Sequence, residues 1–551
     1  MNKLPILEKH KANYAFFRSK SNNTSTLSFF VFIFIIGVFF LILNLRLFQL
    51  TVVKGEYYRR LSDENRIRNV IIEPPRGQIL DRNGAVIASN SSPDLNQNGS
   101  RITSKRTYNN PQAVSSLLGY RQMADQQNID NDRCLNKLKL GDKVGKKGLE
   151  KLYECDLRGV EGKKLIELDA QGKYVRTLSA IPPQRGKTLQ LSLDLNLQNR
   201  AYEQLQGKKG AIIALQPQTG EVLAFVSSPG FNPQDFENNN QVEINKYLTD
   251  KDKPLFDRVA EGTYPPGSIF KLVLATGSLQ DKVIDEKTTF VDNGILKAGP
   301  LTFGNWYYLQ YGKTEGEETI VKAIRRSTDT FFYQVGDKMG PNKIKYWADR
   351  FGYGKKINMQ LEQNEGSVPS PFWKQETVHE NWYLGDTYNL SIGQGYLLVT
   401  PLQVGLTTAV FANGGNLCSP QFLKDNQPQC QSMNLSAKTL SLIREGMKGA
   451  CSSGGTGWPL FDFSVAKNEP GNGTVATDSA SPKTYIQTAC KTGTAEAQDK
   501  SANPHAWISV FAPFDNPQIV LTVLVENGGQ GSDVAGPVAN ELLKTYFEEK
   551  Q

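Results

Sequence analysis

Histidine is scarce in this chain: His10, His379 and His505 are the only three among 551 residues. They allow neither an HExxH nor a His-x-x-His spacing, which excludes a zinc hydrolase built on either pattern. A Ser-His-Asp enzyme would have to use His379 or His505, and neither lies near a Gly-x-Ser-x-Gly elbow. There is no lysine- and arginine-rich run. The balance of 63 basic against 55 acidic side chains gives +8, too mild over this length to form an electrostatic footprint for nucleic acid. At 39% hydrophobic and 21% charged residues, the composition excludes general disorder. At roughly 100–200 residues per domain, the length implies two to four domains.

Long apolar runs are also rare, and one stands out. Phe29 to Leu43 holds fifteen uncharged residues, all apolar apart from Gly37, and apolar character resumes at Leu45, Leu47 and Phe48. That span suffices for a helix across ~30 Å of hydrocarbon. It ends in Asn44-Leu45-Arg46-Leu47 without a small-residue cleavage site, so the sequence predicts an uncleaved anchor over 29–50, not a signal peptide. Five basic residues precede it and six follow between Arg46 and Arg68, a balance that does not orient it. The next apolar run, Ile519–Val525, fits a buried strand. All six cysteines (Cys134, Cys155, Cys418, Cys430, Cys451, Cys490) lie beyond the anchor. Disulfides, most simply between neighbours, and small buried thiols are both open readings.

Residues 1–28 form a polar, basic tail. Beyond the anchor a helical pattern runs through Leu50, Val53, Tyr57 and Leu61 and stops before Pro74-Pro75. Asp81-Arg82-Asn83-Gly84 between apolar pairs predicts a β-hairpin. Ser91 to about Asn131, poor in apolar residues, reads as loop or weakly ordered chain. A short helix and a hairpin turned at Ala170-Gln171-Gly172 follow within 148–178. After Pro182-Pro183 the texture changes. A helix starting near Leu195, a hairpin over AIIAL and VLAFVSS, apolar helices, WISVFAPF, IVLTVLVE and a helix over 536–549 predict an α+β domain with an antiparallel sheet covered by helices. Asn468 to Ser481 reads as a flexible insertion.

Three short segments carry chemistry. In Thr263-Tyr-Pro-Pro-Gly-Ser268-Ile-Phe-Lys271, the prolines lead a turn into an apolar helix, so Ser268 falls at a helix N-terminus where N–H groups favour developing negative charge. Lys271 lies on the same face at i+3, and apolar surroundings lower a lysine's pKa and free its neutral form as a base. Ser-x-x-Lys recurs at Ser464–Lys467, so the tetrapeptide alone reads first as a capping serine with a snorkelling lysine. Ser327-Thr328-Asp329 then places a hydroxyl and an acid ahead of an aromatic segment. Lys491-Thr492-Gly493 occurs once; on an edge strand Lys491 would present positive charge, Thr492 a hydroxyl, and Gly493 would let a ligand approach the backbone. In this order the three form the serine acyltransferase set of β-lactamases and penicillin-binding proteins.

With these motifs the chain resembles the class B penicillin-binding proteins, of the penicillin-binding protein 2 type used in cell elongation. The likeness runs from about Arg46 to the C-terminus through RLFQLTVVKGEYYRRLSDENRIR, PPRGQILDRNG, GLEKLYECDLRG, TYPPGSIFK, STDTFFYQVG, YNLSIGQGYLLVTPLQVG and KTGTAE. It implies a cytoplasmic tail (1–28), a membrane anchor (29–50), a mainly β pedestal or dimerisation-type domain (51–190) and an extracytoplasmic transpeptidase domain (191–551) in a bacterial plasma membrane. It further implies a peptidoglycan D,D-transpeptidase. Lys271 would deprotonate Ser268, which attacks the penultimate D-Ala of a stem peptide; backbone N–H groups of Ser268 and Thr494 would form the oxyanion hole. Ser327 with Lys491 would relay a proton to the departing D-Ala, Lys491, Thr492 and Thr494 would hold its carboxylate, and Asp329 would orient Lys271 and Ser327. β-Lactams would acylate the same serine. The implied partners are the membrane, a SEDS-family glycosyltransferase and the elongation machinery; no cofactor is implied.

The chain also departs from that family. The pedestal is short, and 91–131 is atypical. Some relatives hold zinc between the first two motifs, but 272–326 contains neither His nor Cys, so no metal is expected. Position 490, usually Gly, is Cys; on the face opposite Lys491 it would be either a small buried thiol or a disulfide partner of Cys451. A β-lactamase would need a water-activating glutamate, and no ExxLN-like segment lies between Asp329 and Lys491. A β-lactam sensor would need a signalling domain that 28 residues cannot supply, and an inactive scaffold would not require three intact motifs.

Overall fold

The computed structural model describes residues 26–93, 101–169, 171–424, 426–466, 483–497, 499 and 501–550. The basic tail up to residue 25 and the Asn468–Ser481 insertion lie outside the described residues. The chain forms two compact units. One takes the described residues up to Val70 together with Lys163–Ile181; the other takes Ile71–Gly162 and Pro182 onward.

In the first unit, Thr26–Phe48 is a single helix without a buried residue. A π-helical turn, Gln49–Val53, extends it, and Thr26–Val53 is long and apolar enough to cross a membrane. The helix then breaks at Lys54 and restarts over Gly55–Arg66. The expected helix does not reach Pro74: β-branched Ile67, Val70, Ile71 and Ile72 form a strand instead, the last two of them counted with the second unit. Gly162–Leu168 and Tyr174–Ile181 pair as an antiparallel hairpin. Asp169 sets its turn by accepting the N–H groups of Gln171 and Lys173, each at 2.9 Å.

The second unit opens with the Asn-Gly hairpin, where Asp81 accepts from the N–H groups of Asn83 and Ala85 and Gly84 takes φ +88°. The expectation of loop over 91–131 fails from Arg101 onward. Strands Arg101–Ile102, Arg106–Tyr108 and Arg121–Met123 alternate with helices Pro111–Leu118 and Gln126–Asp130. Low apolar content misleads here because part of this segment's core is ionic. Arg106 and Arg121 are buried, and Glu150 accepts from Arg76 Nε at 2.5 Å and Arg106 Nε at 2.8 Å. Burial favours the neutral acid, yet Arg106, Arg76 and Arg121 together hold the Glu150 carboxyl down at about 2. The Pro-Pro-Arg-Gly motif thus supplies a buried cation.

The second unit is built around an antiparallel five-stranded sheet. Its elements in chain order are β1 (Gly210–Leu215), β2 (Val222–Ser228), α1 (Lys271–Gln280), α2 (Ile320–Arg326), α3 (Asp329–Met339), α4 (Pro401–Ala412), α5 (Ala437–Ala450), β3 (Ala489–Ala495), β4 (His505–Ala512), β5 (Ile519–Val525) and α6 (Gly536–Glu548). The strand order is β2-β1-β5-β4-β3, so β3 is an edge. Ile213 and Leu215 join the core that contains α1, α3 and α4, whereas Ile212 and Ala214 join the core under α6. Covered on both faces, the strands are continuously apolar, as IVLTVLV shows. Its one hydroxyl, Thr522, shares a buried network with Ser509 and Thr408, each contact at 2.7 Å. The start of α4 is fixed by a capping box between Thr400 and Gln403, with Pro401 at the first helical position.

Candidate active site

Ser268 lies in a 3-10 turn, Gly267–Phe270, that runs directly into α1 with Lys271 as the first α-helical residue. Gly267 has φ +55°, and a Cβ there would come within 2.9 Å of Thr494 O, so only glycine lets this turn rest against β3. Its N–H bonds to Gly393 O at 3.0 Å. Ser268 is half-buried and Lys271 fully buried.

The second motif sits where α2 gives way to α3. Ser327 caps α2 in the left-handed region at φ +57°, and Asp329 begins α3. Lys271 Nζ donates to Asp329 Oδ1 at 2.6 Å, to Ser327 O at 2.7 Å and to Ser327 Oγ at 3.3 Å. From β3, Lys491 Nζ donates to the same Ser327 Oγ at 2.7 Å. Two buried amines therefore meet on one hydroxyl. Burial lowers the Lys271 pKa, and the opposing pull of Asp329 does not cancel it. Burial lowers Lys491 further still, with Lys271 adding repulsion and Asp329 opposing. Burial thus pushes both amines toward the neutral form, in which an amine can act as a base.

Lys271, Ser327, Asp329 and Lys491 thus come together, and Ser268 lies in the turn that leads into Lys271, with differences from the sequence expectation in detail. Lys491 is on an edge strand but is fully buried against Ser327 and is not a solvent-facing cation. Gly493 makes room for the turn before Ser268: a Cβ there would meet Pro266 O at 2.9 Å. Thr492 donates to Thr456 Oγ1 at 2.8 Å, and Thr494 to Gln530 Oε1 at 3.3 Å. Cys490 faces away from Lys491, in the core under α6, and forms a disulfide with Cys451 at a Cα separation of 5.6 Å. The other pairs are Cys134–Cys155 and Cys418–Cys430. Ser464 of the competing Ser-x-x-Lys lies in a short strand, Ser464–Ala466; Lys467 lies outside the described residues.

Motif reading missed Asn305, whose Oδ1 accepts from Asp329 N, Asp292, which accepts from Asn305 Nδ2, and Gln394, whose amide donates to Thr494 O at 3.3 Å. Asp292 two residues before Gly294 carried a turn signal, and Gln394 lies within Ile-Gly-Gln-Gly. Neither pattern points to an active site. Glu318 was also missed. It is buried beside Thr328, with Lys322 at 4.0 Å, and burial pushes its carboxyl up to about 7.

A serine at a helix start, followed one turn later by a buried lysine that meets a second buried lysine on one hydroxyl, suits acyl transfer through that serine. The model of the penicillin binding protein transpeptidase domain matches residues 210–544, and that of the penicillin-binding protein dimerisation domain matches 99–191. The chain belongs to the penicillin-binding protein transpeptidase family. It is similar to the peptidoglycan D,D-transpeptidase MrdA of Acinetobacter baumannii, at 30% identity over 92% of this chain and 85% of the relative. Among solved structures it is similar to Pseudomonas aeruginosa PBP2 in complex with WCK 5153, at a TM-score of 0.71 and 30% identity, covering 87% of this chain and 96% of that one. Helicobacter pylori PBP2, solved in complex with MreC, gives a TM-score of 0.71 at 28% identity, covering 88% and 99%.

Proposed function

We propose that this chain is an elongation-type peptidoglycan D,D-transpeptidase that cross-links stem peptides through an acyl-enzyme on Ser268. The convergence of Lys271 and Lys491 on Ser327 Oγ carries this reading, because acylation needs a proton taken from the serine and returned to the leaving amine. Neutral Lys271 accepts the Ser268 proton as Oγ bonds to the carbonyl carbon of the penultimate D-Ala. As the peptide bond breaks, the proton reaches the D-Ala nitrogen through Ser327, with Lys491 on its other side. Asp329 keeps Lys271 aimed. An amine of a second stem peptide then attacks the ester; as the new C–N bond forms and the C–O bond to Ser268 breaks, the amine's proton passes by way of Lys271 to Ser268 Oγ and the cross-link is complete. Lys491, buried and low in pKa, suits the proton relay better than a permanent carboxylate clamp.

The setting we propose is a plasma membrane crossed by the N-terminal helix, with the catalytic unit on the extracytoplasmic side. Three disulfides support that side, since they persist in oxidising compartments. The partners we propose are a SEDS-family glycosyltransferase and scaffold components of the elongation machinery. The family resemblance supports the first, and the complex of Helicobacter pylori PBP2 with MreC supports the second.

Fluorescent penicillin tests the nucleophile. Ser268→Ala should abolish covalent labelling and leave the melting temperature near that of the parent, because one small half-buried hydroxyl is lost. Labelling lost with Ser464→Ala instead would move the site.

A further inference from the structure

We propose that Asn305, fixed in orientation by Asp292, is a positioning residue for the Asp329–Lys271 pair. Asn305 is fully buried, and Asp292 nearly so. The Asp292 carboxylate accepts from Gly294 N at 2.9 Å and Thr330 Oγ1 at 2.7 Å on one oxygen, and from Asn305 Nδ2 and Glu315 N at 2.8 Å on the other. A carboxylate with four donors can only accept, so it dictates which end of the Asn305 amide it meets. The amide nitrogen turns to Asp292, and Oδ1 is left to accept from Asp329 N at 3.1 Å. The next residue completes the clamp: Trp306 N donates to Asp329 Oδ2 at 3.0 Å. With backbone and one carboxylate oxygen held, Asp329 has Oδ1 aimed at Lys271. The clamp itself is anchored by Asn305 N on Gly294 O at 2.7 Å and by Trp306 Nε1 on Arg326 O at 3.0 Å, one residue before Ser327.

This arrangement has a consequence that simple stabilisation would not have. Asp329 raises the Lys271 pKa against burial, so its placement sets where the base titrates. The charged groups facing Lys271 are Asp329 from α3, Lys491 from β3 and Glu318 from the strand Gly316–Glu318. Arg326 and Glu315 pair with each other at 2.6 Å on the near rim. Loosening Asn305 weakens one of these influences and leaves the others in place.

The test is the rate of acylation by fluorescent penicillin as a function of pH, on the full chain. Asn305→Leu is close in size, adds no charge and removes both amide contacts. The expected result is a tenfold or greater fall in the acylation rate constant, with the acid-side limb moved to lower pH by about half a unit or more. Should that variant not fold, Thr330→Val removes one of the four donors to Asp292, and a smaller displacement in the same direction is expected. In a folded variant, an unchanged rate or a lowered rate with an unmoved pH profile overturns the proposal. The inference rests on the acyl-enzyme reading, and the two fail differently: a parent protein that takes no label defeats that reading, whereas a labelled parent with an unmoved variant profile defeats only the role of Asn305.

Discussion

Lysine chemistry at the site depends on burial more than on charge. Lys271 has a carboxylate at 2.6 Å and still titrates below the ordinary range, because full burial penalises the ammonium more than Asp329 rewards it. Arginine in its place keeps a cation and cannot become a neutral base near pH 7. Lys271→Arg should therefore slow penicillin acylation by two orders of magnitude or more, nearly as far as Lys271→Ala, as followed by stopped-time labelling on gels. Substantial acylation in the arginine variant would remove the base role. Glu318 shows the same physics with the opposite sign. Burial lifts its carboxyl from the ordinary 4.5 to about 7, so the stability it contributes is complete below pH 4.5 and is lost as pH rises to about 7. Glu318→Gln is neutral throughout. It should leave the melting temperature unchanged at pH 4.5 and raise it by a few degrees at pH 8, read by thermal scans at the two pH values. The residue types at the site were readable from three motifs, but their protonation was not, since nothing in Lys-Thr-Gly says that its lysine is buried.

At the level of elements, periodicity worked where burial is apolar and failed where it is ionic. The strands and helices of the sheet domain stood out because residues such as Ile212 to Leu215 and Val520 to Leu524 fill two cores. The segment after Arg101 did not, since Arg106 and Arg121 are buried cations that a composition reading assigns to solvent. Asn305 was equally unreadable: its role comes from the hairpin Ile295–Ala298/Leu301–Gly304, which returns the chain to Asp292, and no local pattern records that return. The Cys451–Cys490 bond ties the end of α5 to β3 and closes a loop across 39 positions. By loop-closure entropy such a bond contributes about 2–4 kcal/mol. Replacing both cysteines with serine should lower the melting temperature by several degrees. Acylation at 25 °C should stay within about threefold of the parent, because Cys490 and Lys491 lie on opposite faces of β3. A melting temperature that does not fall would show that the bond closes nothing the folded state needs.

On the scale of the whole molecule, the apolar helix and the transpeptidase domain make separable demands. The helix Thr26–Phe48 buries no residue within the protein, so its phenylalanine-rich surface is open to lipid or to the helices of a membrane partner. Lys271, Ser327, Asp329 and Lys491, by contrast, meet one another within the second unit. Replacing residues 1–50 with an unrelated single-span anchor should therefore leave penicillin acylation within about twofold of the parent. If the helix surface recognises the proposed glycosyltransferase, the same replacement should abolish co-purification with it from detergent-solubilised membranes, because packing between membrane helices depends on the detailed shape of the facing side chains and not on hydrophobicity alone. Undiminished co-purification would place recognition beyond residue 50. The amphipathic helix Gly55–Arg66, with Tyr57, Tyr58 and Leu61 exposed, would then be the next segment to exchange.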